Sequence, residues 1–157
     1  MNEHIRNRMD NKFKIFLSGG ITGLSDDESS KWREAICDFY SSYENCIVVN
    51  PVAHFNPNGC TSDSEEKEGM EFCLSHLRTS DFVIVNLNKL DSIGTAQELM
   101  LAYELHIPIV GIVKESTLEN VHPWIKAEAI KIFTYTNNIH DVLSDVMVYV
   151  LYHYIIP

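Results

Sequence analysis

The sequence predicts an α/β fold, a doubly wound, five-stranded parallel sheet with helices on both faces. Three observations carry that prediction. Short apolar runs recur along the chain, each about the length of a strand buried on both sides. Between most of them lie segments whose apolar residues repeat at helical spacing. Strands alternating with helices pair in parallel, because a right-handed crossover brings each strand back to the same end of the sheet. At 157 residues the chain is long enough for one domain with a good core. That domain is placed at residues 13–157, after a polar, charged, aperiodic stretch over 1–12 that reads as a flexible N-terminal extension.

The first strand is Lys14 to Ser18, followed at once by Gly19, Gly20 and Gly23. This G-G-x-x-G is not the dinucleotide fingerprint, since the spacing differs and no helix starts directly behind it. It reads either as a backbone able to approach a sugar or phosphate, with donors from Gly20 and Thr22, or as a plain turn out of the strand. The first helix is placed at about Glu28 to Tyr43, capped by Ser25 or Asp26. Its stripe of Trp32, Ala35, Ile36, Phe39, Tyr40 and Tyr43 is core. Cys46 to Asn50 is the second strand, ended by the turn signal Asn50-Pro51.

Ala53 to Lys67 reads as a long polar loop holding the acidic pair Glu65 and Glu66, either a lid or a solvated connection. Glu68 to Thr79 is helical, with Met70, Cys73, Leu74 and Leu77 inward, and Phe82 to Leu87 is the third strand. After the loop Asn88 to Ile93 and Gly94, a helix from Thr95 places Ala96, Leu99, Met100 and Tyr103 at helical spacing until Pro108 stops it. Ile109 to Val113 is the fourth strand. A loop with Asn120 near its end, a short helix opened by Pro123, and a fifth strand at Ile130 to Tyr135 follow. The last helix, Asp141 to Tyr154, is apolar over a broad face (Val142, Val146, Val150, with Leu143, Met147 and Leu151), which suggests a subunit contact.

Composition excludes several partners. A formal charge of −10 argues against a nucleic-acid polymer or an anionic membrane, while a small anionic ligand depends on local donors. No secretory leader opens the chain and no apolar stretch approaches the ~20 residues of a bilayer span, so a cytoplasmic protein is expected. The four cysteines have no C-x-x-C pairing and the seven histidines no metal spacing, so free thiols and neither metal nor cofactor are expected.

Glu98 is the residue that suggests chemistry. By this reading it lies in the first turn of its helix, at the carboxyl end of a parallel strand, where open α/β sheets bind ligands. Gly94 and Ala102, one turn away on either side, leave room beside it. Simple complementation of the helix dipole would explain a carboxylate there equally well.

The run S-x-G-T-A-x-E-L from Ser92, followed by A-Y-E-x-x-x-P-I, resembles the signature of the nucleoside 2-deoxyribosyltransferase family. The resemblance extends upstream through L-x-x-L-R-T-S-D (Leu74 to Asp81) to the first strand, covering Lys14 to about Tyr135. It implies a flavodoxin/Rossmann-like fold and cleavage of an N-glycosidic bond, with Glu98 attacking the anomeric carbon. The substrate would be a nucleoside or nucleoside 5'-monophosphate, probed by Ser18, Gly19, Gly20, Thr22, Asn50, Ser92 and Gly94. Asn120 would reach into a neighbouring subunit of a homodimer or higher homo-oligomer.

Two positions depart from the family. The transferases carry an aspartate that handles the base's proton where this chain has Cys73, and a thiol is a poor substitute. Several also carry an aspartate at the position of Ser92. A serine there resembles the branch that hydrolyses 2'-deoxynucleoside 5'-phosphates, which favours hydrolysis slightly over transfer. Asp91 is the candidate replacement acid, with His76 and His122 behind it. The phosphoribohydrolases that also end in G-T-x-x-E need P-G-G-x first, where this chain has Leu90 to Ile93. A catalytically inactive nucleotide-binding or sensing module of the same fold is the alternative from another class.

Overall fold

A computed structural model describes residues 12–54 and 62–155. The N-terminal extension up to residue 11, and the loop segment 55–61 with Cys60, lie outside the described residues. The strands are β1 (Phe13–Gly19), β2 (Cys46–Val49), β3 (Phe82–Asn86), β4 (Ile109–Lys114) and β5 (Lys131–Tyr135). The helices are α1 (Asp26–Tyr40), α2 (Pro51–His54), α3 (Asp63–Arg78), α4 (Ile93–Glu104), α5 (Pro123–Glu128) and α6 (His140–Val150). A 3-10 turn at Glu115–Asn120 follows β4, and a π turn at Leu151–Ile155 extends α6.

All pairings are parallel in the order β2-β1-β3-β4-β5, the expected doubly wound, flavodoxin-like arrangement. Side chains alternate across the strands, so the sheet feeds two cores. Ile15, Leu17, Phe82, Ile84, Val110 and Ile112 pack beneath α1 and α6. Phe16, Val83, Val85, Ile109 and Val113 pack beneath α3 and α4. Burying each such side chain stabilises the fold by about 1.5–3 kcal/mol before chain entropy is counted. The Tyr40 hydroxyl donates to the Met147 carbonyl at 2.7 Å and pins α1 to α6.

Two helix starts and the use of one helix face differ from the sequence reading. Helix α3 begins at Asp63, not Glu68. Ser62 accepts the Glu65 amide at 3.2 Å, and Asp63, Glu65 and Glu66 suit the positive end of the helix dipole. The acidic pair assigned to the loop therefore opens a helix. Helix α4 begins at Ile93, not Thr95, because Ser92 caps it by accepting the Thr95 amide. Glu98 consequently sits in the second turn. Lastly, the breadth of α6 is used within the chain: Val142, Leu143, Val146, Met147 and Val150 are buried, leaving Val148 and the following Tyr152 exposed. Among the described residues no helix is long and apolar enough to cross a membrane.

Candidate active site

The site is assembled where β1 and β3 diverge, the point at which the strand order reverses. Strand β1 delivers Ser18 and Gly19. Ser18 is buried and its hydroxyl donates to Glu98 Oε2 in a short bond that joins β1 to α4. Gly19 takes φ +148°, and a Cβ there would come within 3.2 Å of the Asn86 side chain and 3.3 Å of the Trp32 ring. That turn needs glycine.

Glu98 is partly buried, enclosed by protein on one side and open to a cavity of about 440 Å³ on the other. Burial pushes its carboxyl up to about 7, while the Ser18 hydroxyl and the Arg33 charge pull the other way. The first-turn position expected from the sequence would have favoured the ionised form. One turn deeper, desolvation wins instead.

Arg33, on α1, is the residue the sequence reading missed. It is fully buried, donates to the Gly19 carbonyl at 2.9 Å and to the Ser29 carbonyl, and lies 4.6 Å over the Trp32 ring. Its Nε has no hydrogen-bond partner among the described residues. Burial lowers it to about 10, so it keeps its charge at neutral pH, helped by Glu98. The signal was available, since Ser29, Arg33 and Ile36 fall within the same buried stripe as Trp32 and Tyr40. An arginine inside an apolar stripe asks for a partner.

The opposite wall is α3. Glu66, Gly69, Met70 and Cys73 line the cavity from one face at spacing i, i+3, i+4, i+7. The Cys73 thiol is pushed up to about 12 by burial and by the nearby Glu98 charge. It stays a neutral thiol. Glu66 was read as a loop residue, and only the earlier start of α3 turns it toward the cavity.

Gly19, Thr22, Asp91, Ser92, Gly94 and Glu98 line this one cavity, and Ser18 supports Glu98 from beneath. Ser92 also caps α4, its hydroxyl 2.7 Å from Thr95 Oγ1. Asp91 stands at the rim, 3.0 Å from the Lys89 ammonium, which holds its carboxyl below the usual range. Gly20 faces away: a Cβ there would lie 2.4 Å from Lys89 Cδ. Asn50 does not line the cavity, because its Oδ1 accepts the Val52 amide at 3.2 Å and opens α2. Asn120 is exposed at the end of the 3-10 turn, also outside it. His76 lies beside Lys14 at 3.1 Å and His122 caps α5, so neither is placed for the chemistry.

A family model described as "Nucleoside 2-deoxyribosyltransferase like" matches residues 12–116. No curated protein matches the chain in sequence. Among solved structures, it is similar to the 2-deoxyribosyltransferase of Bacillus psychrosaccharolyticus (TM-score 0.63, 20% identity, 83% of this chain and 90% of that one). It is also similar to a conserved protein of Enterococcus faecalis V583 (0.61, 14%, 86% and 97%). A third likeness is to the CMP N-glycosidase BcmB of Clostridium botulinum (0.58, 16%, 87% and 98%). At these identities the likeness to solved structures speaks for the fold.

Proposed function

This chain belongs to the nucleoside 2-deoxyribosyltransferase-like family, and on that premise we propose that it cleaves the N-glycosidic bond of a nucleoside or nucleoside 5'-monophosphate, with 2'-deoxyribose the preferred sugar. The observation that carries the reading is Glu98 itself: a carboxyl tied to Ser18, influenced by a buried arginine, and facing a cavity of about 440 Å³. In the first step a Glu98 oxygen bonds to C1' while the C1'–N bond breaks, its electron pair going to the base. The oxocarbenium character of that transition state is matched by the carboxylate's charge. In the second step water, or a second base, attacks C1', Glu98 leaves as carboxylate, and the attacking group's proton passes to the carboxylate that protonated the departing base. We place water first, because Ser92 stands where several transferases carry an aspartate.

The departing base needs a proton. Cys73 holds its hydrogen too tightly, and Asp91 is engaged at the rim by the Lys89 ammonium at 3.0 Å. Glu66 is the remaining carboxyl that lines the cavity, on the same face of α3 as Cys73, and we assign it the proton transfer. Met70 and Ile93, both exposed and both lining the cavity, support closure by a second copy of the chain, with Asn120 contributed from outside. Sedimentation of the purified protein as a monomer at assay concentration would overturn that closure.

The test of the reaction is release of free base from 2'-deoxynucleosides and their 5'-monophosphates, with and without an acceptor base. Free sugar or sugar phosphate is the expected product, and base exchange without it would make the protein a transferase. The missing aspartate at Cys73 favours one other reading, a module that binds nucleotides without cleaving them. Base release that is abolished by Glu98→Gln in a folded protein would dismiss that reading; nucleotide binding with no release by the unmodified chain would establish it.

A further inference from the structure

The carboxyl edge of the sheet carries a second cavity, of about 690 Å³, on the far side of the Gly20–Lys89 contact from Glu98. Its floor is made by the ends of β3, β4 and β5, tied together by one side chain. Asn88 donates from Nδ2 to Asn86 Oδ1 and to the Tyr135 hydroxyl oxygen, both at 2.8 Å, and accepts the Lys114 amide at 2.8 Å. Asn86 Oδ1 takes the Asn88 amide as well, at 3.0 Å, and Asn138 Oδ1 takes the His140 amide at 3.0 Å.

These bonds occupy the side-chain acceptors of the floor and leave its donors idle. The Asn86 Nδ2 hydrogens, the phenolic proton of Tyr135 and the Lys114 ammonium have no side-chain or backbone acceptor among the described residues. The carboxylates around the rim are engaged: Asp27 with Lys31 at 3.1 Å, Asp91 with Lys89 at 3.0 Å, and Glu28 in the capping box of α1. A floor whose donors stand unmatched suits a ligand that brings acceptors and few donors. Phosphate oxygens fit that description. The volume is that of a small-molecule site, and Leu24, Trp32 and Ile139 give it an apolar side.

We propose that this second cavity binds a phosphorylated small molecule, its phosphate held by Lys114, Tyr135 and Asn86 and its less polar body lying against Leu24 and Ile139. The site is separate from the one that holds Glu98, and it stands whether or not the glycosidic reaction does. The chain's overall negative charge opposes anions at long range, so the binding rests on local donors and weakens only moderately with salt.

Titration of the isotope-labelled full chain with inorganic phosphate, and separately with adenosine 5'-monophosphate, tests this by amide chemical shifts. Both ligands are expected to shift the amides of Asn88, Lys114 and Asn138. Lys114→Met and Tyr135→Phe each weaken phosphate binding by about tenfold, the worth of one hydrogen bond to a charged group. A tighter fit for adenosine 5'-monophosphate than for inorganic phosphate supports the apolar side of the site. Shifts confined to Ser92 through Thr95, no shift at all, or an affinity indifferent to both substitutions would overturn the proposal. Lys114 is exposed, so its variant remains informative even if Tyr135→Phe fails to fold.

Discussion

The two cavities at the carboxyl edge share Lys89 and Asp91 yet are built on opposite electrostatic plans. Around Glu98 the charges are desolvated: the carboxyl is raised to about 7, the Cys73 thiol to about 12, and Arg33 is lowered to about 10. Around Lys114 the floor is amide and phenol beside one exposed ammonium, and the acids at the rim sit in ion pairs or a helix cap. The first arrangement holds a charge where the fold disfavours it. The second arranges dipoles at little cost. A carboxyl held out of water is poised for chemistry, whereas hydrogen-bond donors beside an exposed ammonium are suited to binding.

The comparison is broken most directly by removing the charged group. Glu98→Gln is expected to reduce kcat/KM for base release by a thousandfold or more, on the order seen when a nucleophile is lost. A reduction of less than about tenfold would mean the desolvated carboxyl is not the nucleophile. Glu66→Gln is expected to slow base release by about a hundredfold, the usual worth of a general acid. Release of a base whose leaving needs no proton should be spared.

The charge plan is sharpened by pH. On the proposed mechanism Glu98 attacks as the carboxylate, so the limb of the activity profile that depends on it should rise with pH through about 7. Arg33→Met removes a cation that favours the carboxylate, so it should move that midpoint upward by about one pH unit. It should also lower stability by about 2 kcal/mol, since the carbonyls of Gly19 and Ser29 lose their donor. A midpoint that does not move would separate Arg33 from Glu98.

Stability gives a smaller readout of the same plan. The folded state raises the Glu98 carboxyl above its unfolded value, so the folded state holds its proton longer. The resulting penalty is absent below about pH 4.5, grows between there and about 7, and is constant above. Glu98→Gln should therefore stabilise the protein by about 1–3 kcal/mol at pH 8, after allowance for the side open to water, and by almost nothing at pH 4. Chemical denaturation at the two pH values measures it. In the other cavity Lys114→Met should change stability by less than about 0.5 kcal/mol at either pH, since the side chain is exposed. A large effect there would erase the contrast.

The sheet was legible because strands buried on both faces read as short apolar runs, as Phe82 to Val85 and Ile109 to Val113 show. Glu98 was legible too, from Gly94 and Ala102 around it and from the resemblance that its motif carries. What escaped was contributed by helix starts. The acidic residues at 63, 65 and 66 look like a solvated loop until Ser62 is seen to cap them, and only then does Glu66 face the cavity. The electrostatics of Glu98 escaped as well, because the burial that raises its carboxyl is not displayed by its motif. Arg33 escaped because a charged residue beside a tryptophan is ordinarily solvated. The buried stripe around it hinted at its place, but its partner, the Gly19 carbonyl, lies 14 residues earlier in the chain.

Lys89 lies along Gly20 as a wall common to both chambers, and a common wall has a thermodynamic consequence. Any molecule that draws the Lys89 ammonium from Asp91 to one side alters what the other side meets. Linkage makes that influence mutual: whatever factor an occupant of the Lys114 side imposes on affinity at the Glu98 side is returned to it unchanged. Two compartments divided by one cation are coupled to the extent that an occupant of either displaces it.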